Sequence, residues 1–265
     1  MATLHERAAR GETLSDVEII DAHGHLGYCL QFPVAHSDAN GMIEEMDRIG
    51  INRIVISAFK AIATDYRAGN RLALETAKRH PGRFLVYLVA NPHFVDEYDT
   101  ELEPLLDEPN VVGIKLHTEL HQCPLADDRY KPVWQMAVRH NRPVLVHLLH
   151  PRDIEPLCTI AESYPELKLL VAHHAGPENI DKNLPVLKRH SNIYVDTCVS
   201  VTPFGILERL VGELGVTRVL FGTDMPYLNA GAQIGKVLFA KLGDDAKKRI
   251  LCQNAREFFR PSRTA

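Results

Sequence analysis

Two histidines separated by one glycine end an apolar run near the start of the chain. His23 and His25 close the segment Ile-Ile-Asp-Ala-His-Gly-His. Side chains alternate between the two faces of a β-strand, so a strand here places both imidazoles on the same side. Two neighbouring imidazoles are suitable ligands for a first-row metal ion. Because such a pair is common, its meaning depends on what other elements bring to the same place.

Eight apolar runs rich in Val, Ile and Leu recur along the chain, a pattern typical of strands buried on both faces. We predict these strands at residues 18–25, 53–59, 84–91, 111–117, 144–150, 168–175, 193–198 and 218–224. Amphipathic patterns in the intervals predict helices, for example at residues 70–80, 128–140 and 203–214. The alternation predicts an α/β fold, a single (β/α)8 TIM barrel with a C-terminal helix. We expect one domain over residues 1–265, with its core at about 18–259.

The composition is ordinary for a globular domain and argues against several other classes. The 265 residues are 45% hydrophobic and 24% charged, and the formal net charge of −4 gives no basic surface for nucleic acid. No run approaches the ~20 apolar residues of a membrane helix, and the polar N-terminus lacks a secretory signal. Five cysteines without CxxC spacing predict reduced thiols. We therefore expect a cytoplasmic protein that binds neither nucleic acid nor membrane.

The residues at the strand ends carry the strongest functional signal, because active sites of such barrels lie at the C-terminal ends of the strands. Histidines, acids and one lysine collect there: His23 and His25, Lys115 and His117, His147, His173 and His174, Asp196, and Asp224. Three neutral imidazoles and a carboxylate would form a catalytic metal site with one position open for water. These ligand types favour one zinc ion, with manganese, iron and cobalt as alternatives.

At this point the residues resemble the amidohydrolase superfamily, and in particular its amidohydrolase-related branch. That branch contains small metal-dependent hydrolases and enzymes of the aminocarboxymuconate-semialdehyde decarboxylase type. The resemblance runs from about residue 18 to 259 and is carried by a set of motifs: Asp21-Ala22-His23-Gly24-His25, Gly113-Ile114-Lys115-Leu116-His117, His147, Ala172-His173-His174-Ala175-Gly176, Phe221-Gly222-Thr223-Asp224-Met225-Pro226 and Asn254-Ala255-Arg256-Glu257-Phe258-Phe259.

The resemblance implies roles for four side chains. His23 and His25 are similar to the first two metal ligands of the family, and His147 to the third. Asp224 resembles the strand-eight aspartate, which binds metal and often takes a proton from the attacking water.

The strand-six histidine of the family orients or deprotonates that water, and His173 resembles it. The doubled His173-His174 is a departure from many relatives. Alternation places only one of the two toward the site, and a shift of one residue would exchange them.

Lys115 leaves two alternatives open. In relatives with two metal ions the strand-four lysine is carboxylated and bridges them, whereas a plain reading makes Lys115 a cation for a substrate carboxylate or for a nearby acid. We expect one ion, since the branch it resembles is mostly mononuclear. Lys115, His117 and His174 are the candidates for a second metal ion or for substrate.

The expected function is hydrolysis, with metal-activated water attacking an amide, lactone or ester carbonyl of a small organic substrate. The alternative is metal-dependent, non-oxidative decarboxylation of a small carboxylated aromatic or unsaturated acid. Weaker candidates for substrate contact are Tyr28, Lys60, Arg152 and Tyr227. The expected partner is a small-molecule substrate, and relatives are often dimers, which suggests a homodimer.

Overall fold

Eight parallel strands form the centre of the computed structural model, which describes residues 2–29, 31–149 and 151–260. Each strand pairs with the next one along the chain, in the order β1 to β8. Their bounds are Ile20–Leu26, Arg53–Ala58, Phe84–Val89, Val111–His117, Val144–His147, Leu169–Val171, Ile193–Asp196 and Val219–Leu220. The predicted (β/α)8 barrel is confirmed.

The barrel closes where the first strand meets the segment around the last. Ala22 N donates to Phe221 O at 2.8 Å, and His25 N donates to Met225 O at 2.8 Å. Between them Asp224 N donates to His23 O, also at 2.8 Å. We call this contact between β1 and residues 219–225 the closing seam. The predicted motifs at residues 21–25 and 221–226 therefore meet here.

Helices surround the barrel on its outer side. The α-helices α1 to α11 span Leu4–Ala9, Ala39–Ile49, Phe59–Ala63, Tyr66–Arg79, Lys131–Arg139, Ile154–Ser163, Ile180–Leu187, Ile206–Leu214, Ala230–Phe239, Asp244–Lys248 and Asn254–Phe259. Between β3 and β4 the helix is replaced by short 3-10 and π turns over Pro92–Glu97, Tyr98–Leu102 and Glu103–Asp107. Among the described residues, no helix combines the length and apolar character needed to cross a bilayer.

Helix α4 shows how local sequence and packing agree. Asp65 caps its N-terminus by accepting a hydrogen bond from Ala68 N at 2.9 Å. Gly69 lies on its buried side, where an added Cβ would be only 2.1 Å from Ala61 N in α3. Glycine at this position therefore lets α3 and α4 approach each other above β2.

The apolar core has two layers. Side chains that point into the barrel, such as Val55, Leu145 and Leu170, form one layer with Phe258 of α11. The other layer lies between the strands and the helices. Burial of each large apolar side chain contributes on the order of 1.5–3 kcal/mol. Helix α11 packs against the N-terminal part of the barrel interior. The functional groups follow the ends of the strands and therefore lie at the opposite, C-terminal end.

The last strands are shorter than predicted. β6 ends at Val171 and β8 at Leu220, whereas the sequence pattern continues to residues 175 and 224. The backbone turns away because His173, His174 and Asp224 have φ of 58°, 57° and 60°, in the left-handed region. The predicted fifth strand also ends early, at His147, and His150 lies outside the described residues.

Candidate metal centre

Three predicted ligands come together at the closing seam. His25 Nε2 lies 3.1 Å from Asp224 Oδ1, and His23 Nε2 lies 3.6 Å from the same oxygen. One potential ligand atom from each residue lies within 4.8 Å of the other two. Both histidines come from β1, as the alternation rule predicts, and Asp224 follows β8. Two nitrogens and one oxygen thus surround a common point.

Asp21 holds the two sides of the seam in register. Its Oδ1 accepts hydrogen bonds from His23 N at 2.9 Å and from Thr223 N at 3.0 Å. The hydroxyl of Thr223 donates to the other carboxylate oxygen. Burial raises the pKa of Asp21 to about 8, although these hydrogen bonds act in the opposite direction. This carboxyl group fixes the segments that carry His23 and Asp224.

The hydrogen-bond partners of His23 define its tautomer. Lys115 Nζ lies 3.1 Å from His23 Nε2, and an amine there donates, so Nε2 accepts. The ring proton is therefore on Nδ1, which lies 2.7 Å from Asp196 Oδ2. A carboxylate behind a ligating imidazole fixes the ring and raises its basicity. In this tautomer the Nε2 lone pair of His23 faces the site.

Asp196 and Cys198 belong to a second buried group, with His23 and His173, whose potential ligand atoms also lie close together. Because His23 Nδ1 already donates to Asp196, this group supports His23 from behind. Sequence reasoning noted Asp196 only as a strand end. An acid at the end of β7, facing a barrel interior, was the available signal for its role.

His25 has a comparable partner, which the sequence interpretation missed. Ser57 Oγ lies 3.1 Å from His25 Nδ1, and both side chains are buried. When Nε2 binds a metal ion, the proton belongs on Nδ1, and the Ser57 hydroxyl can accept it. The signal was one polar residue within the apolar strand β2.

The electrostatics suit a divalent cation. Burial, together with the Lys115 charge, lowers the pKa of both His23 and His25, which keeps these imidazoles neutral. Burial also lowers the pKa of Lys115 to about 8. Burial alone would raise the pKa of Asp224, but the hydrogen bond from His25 and the proximity of the His23 imidazole hold that pKa well below its usual value. Neutral nitrogens and an ionised oxygen are the forms that bind metal, so the residues fit such an ion.

His147 lies in a neighbouring row of imidazoles instead of in the three-residue group. Its Nδ1 is 3.0 Å from His173 Nε2, and its ring stacks on that of His117 with centroids 3.8 Å apart. His173 Nδ1 donates to Cys198 O at 3.1 Å, so Nε2 of His173 accepts from His147. His147 is not part of the group of three whose ligand atoms lie within 4.8 Å of one another, and its role as the third metal ligand stays a prediction.

The doubled histidine is divided between two environments. His173 faces the site cavity and its ring centroid lies 5.2 Å from that of His23. His174 is buried and does not line that cavity, and burial lowers its pKa to about 4. Both residues have left-handed backbones, so the alternation rule for strands does not apply to them.

A cavity of about 270 Å³ opens beside the metal group. Its wall contains His25, Asp224, His117, His147 and His173, together with Gln31, Phe32, Phe59, Glu119, Leu120, Leu149, Val199, Ser200, Tyr227 and Leu228. On the aromatic side of this wall, Tyr227 stacks on His25 and on Phe32, with centroid distances of 5.2 and 5.5 Å. Phe59 meets Tyr227 edge-on at 5.5 Å.

The weaker substrate candidates are placed differently from one another. Tyr227 lines the cavity, and its hydroxyl donates to Gly27 O at 2.9 Å. Tyr28, Lys60 and Arg152 are exposed and are not part of the cavity wall. Lys115 is completely buried, with its Nζ beside the site-facing Nε2 of His23, and it does not line the cavity either.

Comparison with known proteins adds three findings to this geometry. A family model described as amidohydrolase matches residues 20–260. No match was found among curated protein sequences. Many solved structures share the fold, at low sequence identity.

Three of these structures illustrate the similarity. The 5-carboxyvanillate decarboxylase LigW from Sphingomonas paucimobilis is 14% identical, with a TM-score of 0.76 over 93% of this chain and 100% of that one. A dihydroxybenzoic acid decarboxylase from Polaromonas sp. JS666, with bound manganese, is 16% identical, with a TM-score of 0.75 over 92% and 97%. The 4-oxalomesaconate hydratase LigJ from Rhodopseudomonas palustris is 20% identical, with a TM-score of 0.71 over 91% and 95%.

Proposed function

The chain belongs to the amidohydrolase family, and from this premise we propose that it is a metal-dependent, non-oxidative decarboxylase of a small carboxylated aromatic or unsaturated acid. The observation that carries the proposal is the aromatic wall beside the metal group. Tyr227 stacks on His25 and on Phe32, and Phe59 closes this side edge-on. A flat, conjugated substrate packs well against such a surface.

The metal ion is proposed to be a single divalent cation held by His23, His25 and Asp224. When bound, it supplies a positive charge that orients and polarises the oxygens of a substrate carboxylate. Zinc is our prediction from the ligand types. The manganese in the Polaromonas decarboxylase makes manganese the second metal to test.

The residues of the chain supply the proton that decarboxylation needs. The carbon–carboxyl bond breaks, carbon dioxide leaves, and the electron pair left on carbon takes a proton. Asp224 and His173 both line the cavity at its metal end. His147 Nδ1 donates to His173 Nε2, so the two rings fix one another at the metal end of the cavity, where His173 is proposed to position the substrate. Asp224, ionised at rest, is proposed to take up a proton from solvent and to deliver it to that carbon.

Hydrolysis of an amide, lactone or ester is the second candidate. The observation in its favour is the ionised state of Asp224, whose low pKa makes it ready to take a proton from water. Asp224 would then return that proton to the leaving group. Both reactions use the same three metal-binding side chains, so the product distinguishes them.

The test is a product assay on the metal-loaded protein. We expect carbon dioxide from a panel of aromatic and unsaturated carboxylic acids, and in deuterated water the product carries deuterium at the carbon that lost the carboxyl group. A parallel panel contains lactones, amides and esters. Hydrolysis products without carbon dioxide from any acid would replace the decarboxylase proposal with the hydrolase one. The variant Asp224→Asn serves as the inactive control in both panels.

A further inference from the structure

Glu119 is a charged residue of the cavity wall to which the metal site gives no role. It follows β4, and its side chain is about one-third exposed, at 32%. Among the described residues, the only ion-pair partner of its carboxylate is His147, whose Nε2 lies 3.5 Å from Glu119 Oε2. That distance is longer than a normal hydrogen bond. The carboxylate therefore keeps acceptor positions free toward the cavity.

The loop that carries Glu119 is held by groups other than Glu119 itself. Thr118 Oγ1 donates to the buried Asp153 at 3.1 Å, and Leu125 N donates to the same carboxylate at 3.1 Å. Within the loop, Cys123 N donates to Thr118 O at 3.0 Å. Since these bonds do not involve the Glu119 side chain, they fix the backbone of the loop independently of that side chain.

The charges that line the cavity are all negative. Within the described part of the chain, Glu119 and Asp224 are the ionisable acids of the wall, and no lysine or arginine belongs to it. Asp224 is engaged by His25 and belongs to the metal group. Glu119 thus sets the charge of the remaining wall, beside His147.

We propose that Glu119 determines substrate specificity by accepting a hydrogen bond from an amino or hydroxyl substituent of the substrate. The same carboxylate rejects a substrate with a second carboxylate at that position, because two like charges would face each other in a small cavity. The inference takes from the proposed function only that the site receives a carboxylated ring. The substrate is then an amino- or hydroxy-substituted acid with a single carboxylate.

The experiment measures binding separately from turnover. Wild type and Glu119→Gln, both metal-loaded, are titrated by calorimetry with benzoate and its 3- and 4-substituted amino, hydroxy and carboxy derivatives. A hydrogen bond to a charged acceptor corresponds to roughly a tenfold to hundredfold gain in affinity. We expect the best amino or hydroxy compound to bind wild type at least about tenfold more tightly than the carboxy compound of the same geometry, and Glu119→Gln to lose most of this preference. Comparing the amino and hydroxy series shows which donor the site takes.

Glu155→Gln provides the matched control, because Glu155 is an exposed acid on α6 outside the cavity. It should keep the wild-type preference. Equal preferences in wild type and Glu119→Gln would overturn the inference, and so would a failure of every compound to bind. If the compounds bind in the expected order but none releases carbon dioxide, the decarboxylase proposal fails and the role of Glu119 stands.

Discussion

His23 Nδ1 lies 2.7 Å from Asp196 Oδ2, and both side chains are completely buried. The two residues are far apart in sequence, on β1 and β7, and closure of the barrel brings these strands close together. An imidazole held in this way has one nitrogen committed to the carboxylate and the other available to a metal ion. The bond therefore selects the metal-binding tautomer of His23.

Replacing that carboxylate should weaken metal binding. In Asp196→Asn the amide can donate to His23 Nδ1 and place the ring proton on Nε2, where it blocks the ligand position. We expect a tenfold to hundredfold loss of metal affinity, which is typical for a residue that supports a ligand. Competition with a chelator measures it. Asp181→Asn, at an exposed position of α7, is the control. Affinity within about twofold of wild type would contradict this role for Asp196.

Asp224→Asn should remove activity while the fold persists. The neutral amide neither carries the proton proposed for Asp224 nor binds a cation as a carboxylate does. We expect turnover to fall by about a hundredfold or more. The comparison is with Asp245→Asn, an exposed acid of α10. Activity close to wild type at saturating metal would remove Asp224 from the proposed mechanism.

Lys115 should make the stability of the metal-free protein depend on pH above neutrality. Burial lowers its pKa to about 8, compared with about 10.4 in an unfolded chain. Between these values the unfolded state binds more protons than the folded state, so the free energy of unfolding rises with pH. The cost of burying the charged amine is therefore complete below about pH 8 and is gone above about pH 10.5.

Lys115→Met removes this contribution. We expect the variant to be more stable than wild type below about pH 8, by up to about 3 kcal/mol, and the difference to vanish by about pH 10.5. Denaturant unfolding at several pH values measures it. In Lys131→Met, at an exposed lysine of α5, the free energy of unfolding should depend on pH as it does in wild type. Parallel curves for Lys115→Met as well would contradict the prediction.

Metal content tests whether the strand-four lysine bridges two ions. We expect about one divalent ion per chain, since one open catalytic site needs no more. Elemental analysis gives the number of ions per chain, and the mass of the intact protein shows whether Lys115 is carboxylated. A ratio near two, together with a carboxylated Lys115, would establish the two-metal alternative.

Two glycines in helices should respond in opposite ways to alanine. In Gly69→Ala the new methyl group meets backbone atoms of Ala61, so α3 and α4 must separate and we expect a loss of about 2 kcal/mol or more. In Gly235→Ala of α9 nothing lies within 4 Å of the new atom. There alanine should stabilise the protein by about 0.4–1 kcal/mol. Thermal unfolding measures both variants, and equal shifts would contradict the packing argument.

The sequence predicts the strands best where a strand is long and straight. The apolar pattern places β4 at the residues that the structure shows, and the His-x-His motif is correctly assigned to the end of β1. The pattern fails after β6 and β8, because polar residues there adopt left-handed backbones that no apolar periodicity records. For the same reason, strand alternation could not choose between His173 and His174.

The partners of the ligands were harder to predict than the ligands. Ser57 and Asp196 become neighbours of His25 and His23 only after the barrel has closed. The position of His147 depends on its stacking with His117 on β4 and its hydrogen bond to His173, which follows β6. Spacing along one strand contains no information about such contacts. Glu119 lies in a loop, where the sequence has no periodic pattern that could predict which way a side chain points.

The position of the proposed metal site on the closing seam would give a bound ion a role in assembly. His23 and His25 belong to the first strand and Asp224 follows the last, so an ion shared by them fastens together the segments that are synthesised earliest and latest. A growing chain cannot retain the ion until its last strand has docked. Bound metal would then mark molecules that have finished folding, while those that lose it would keep only the hydrogen bonds of the seam. Opening of that seam would leave two free strand edges, exposed to pairing with other chains.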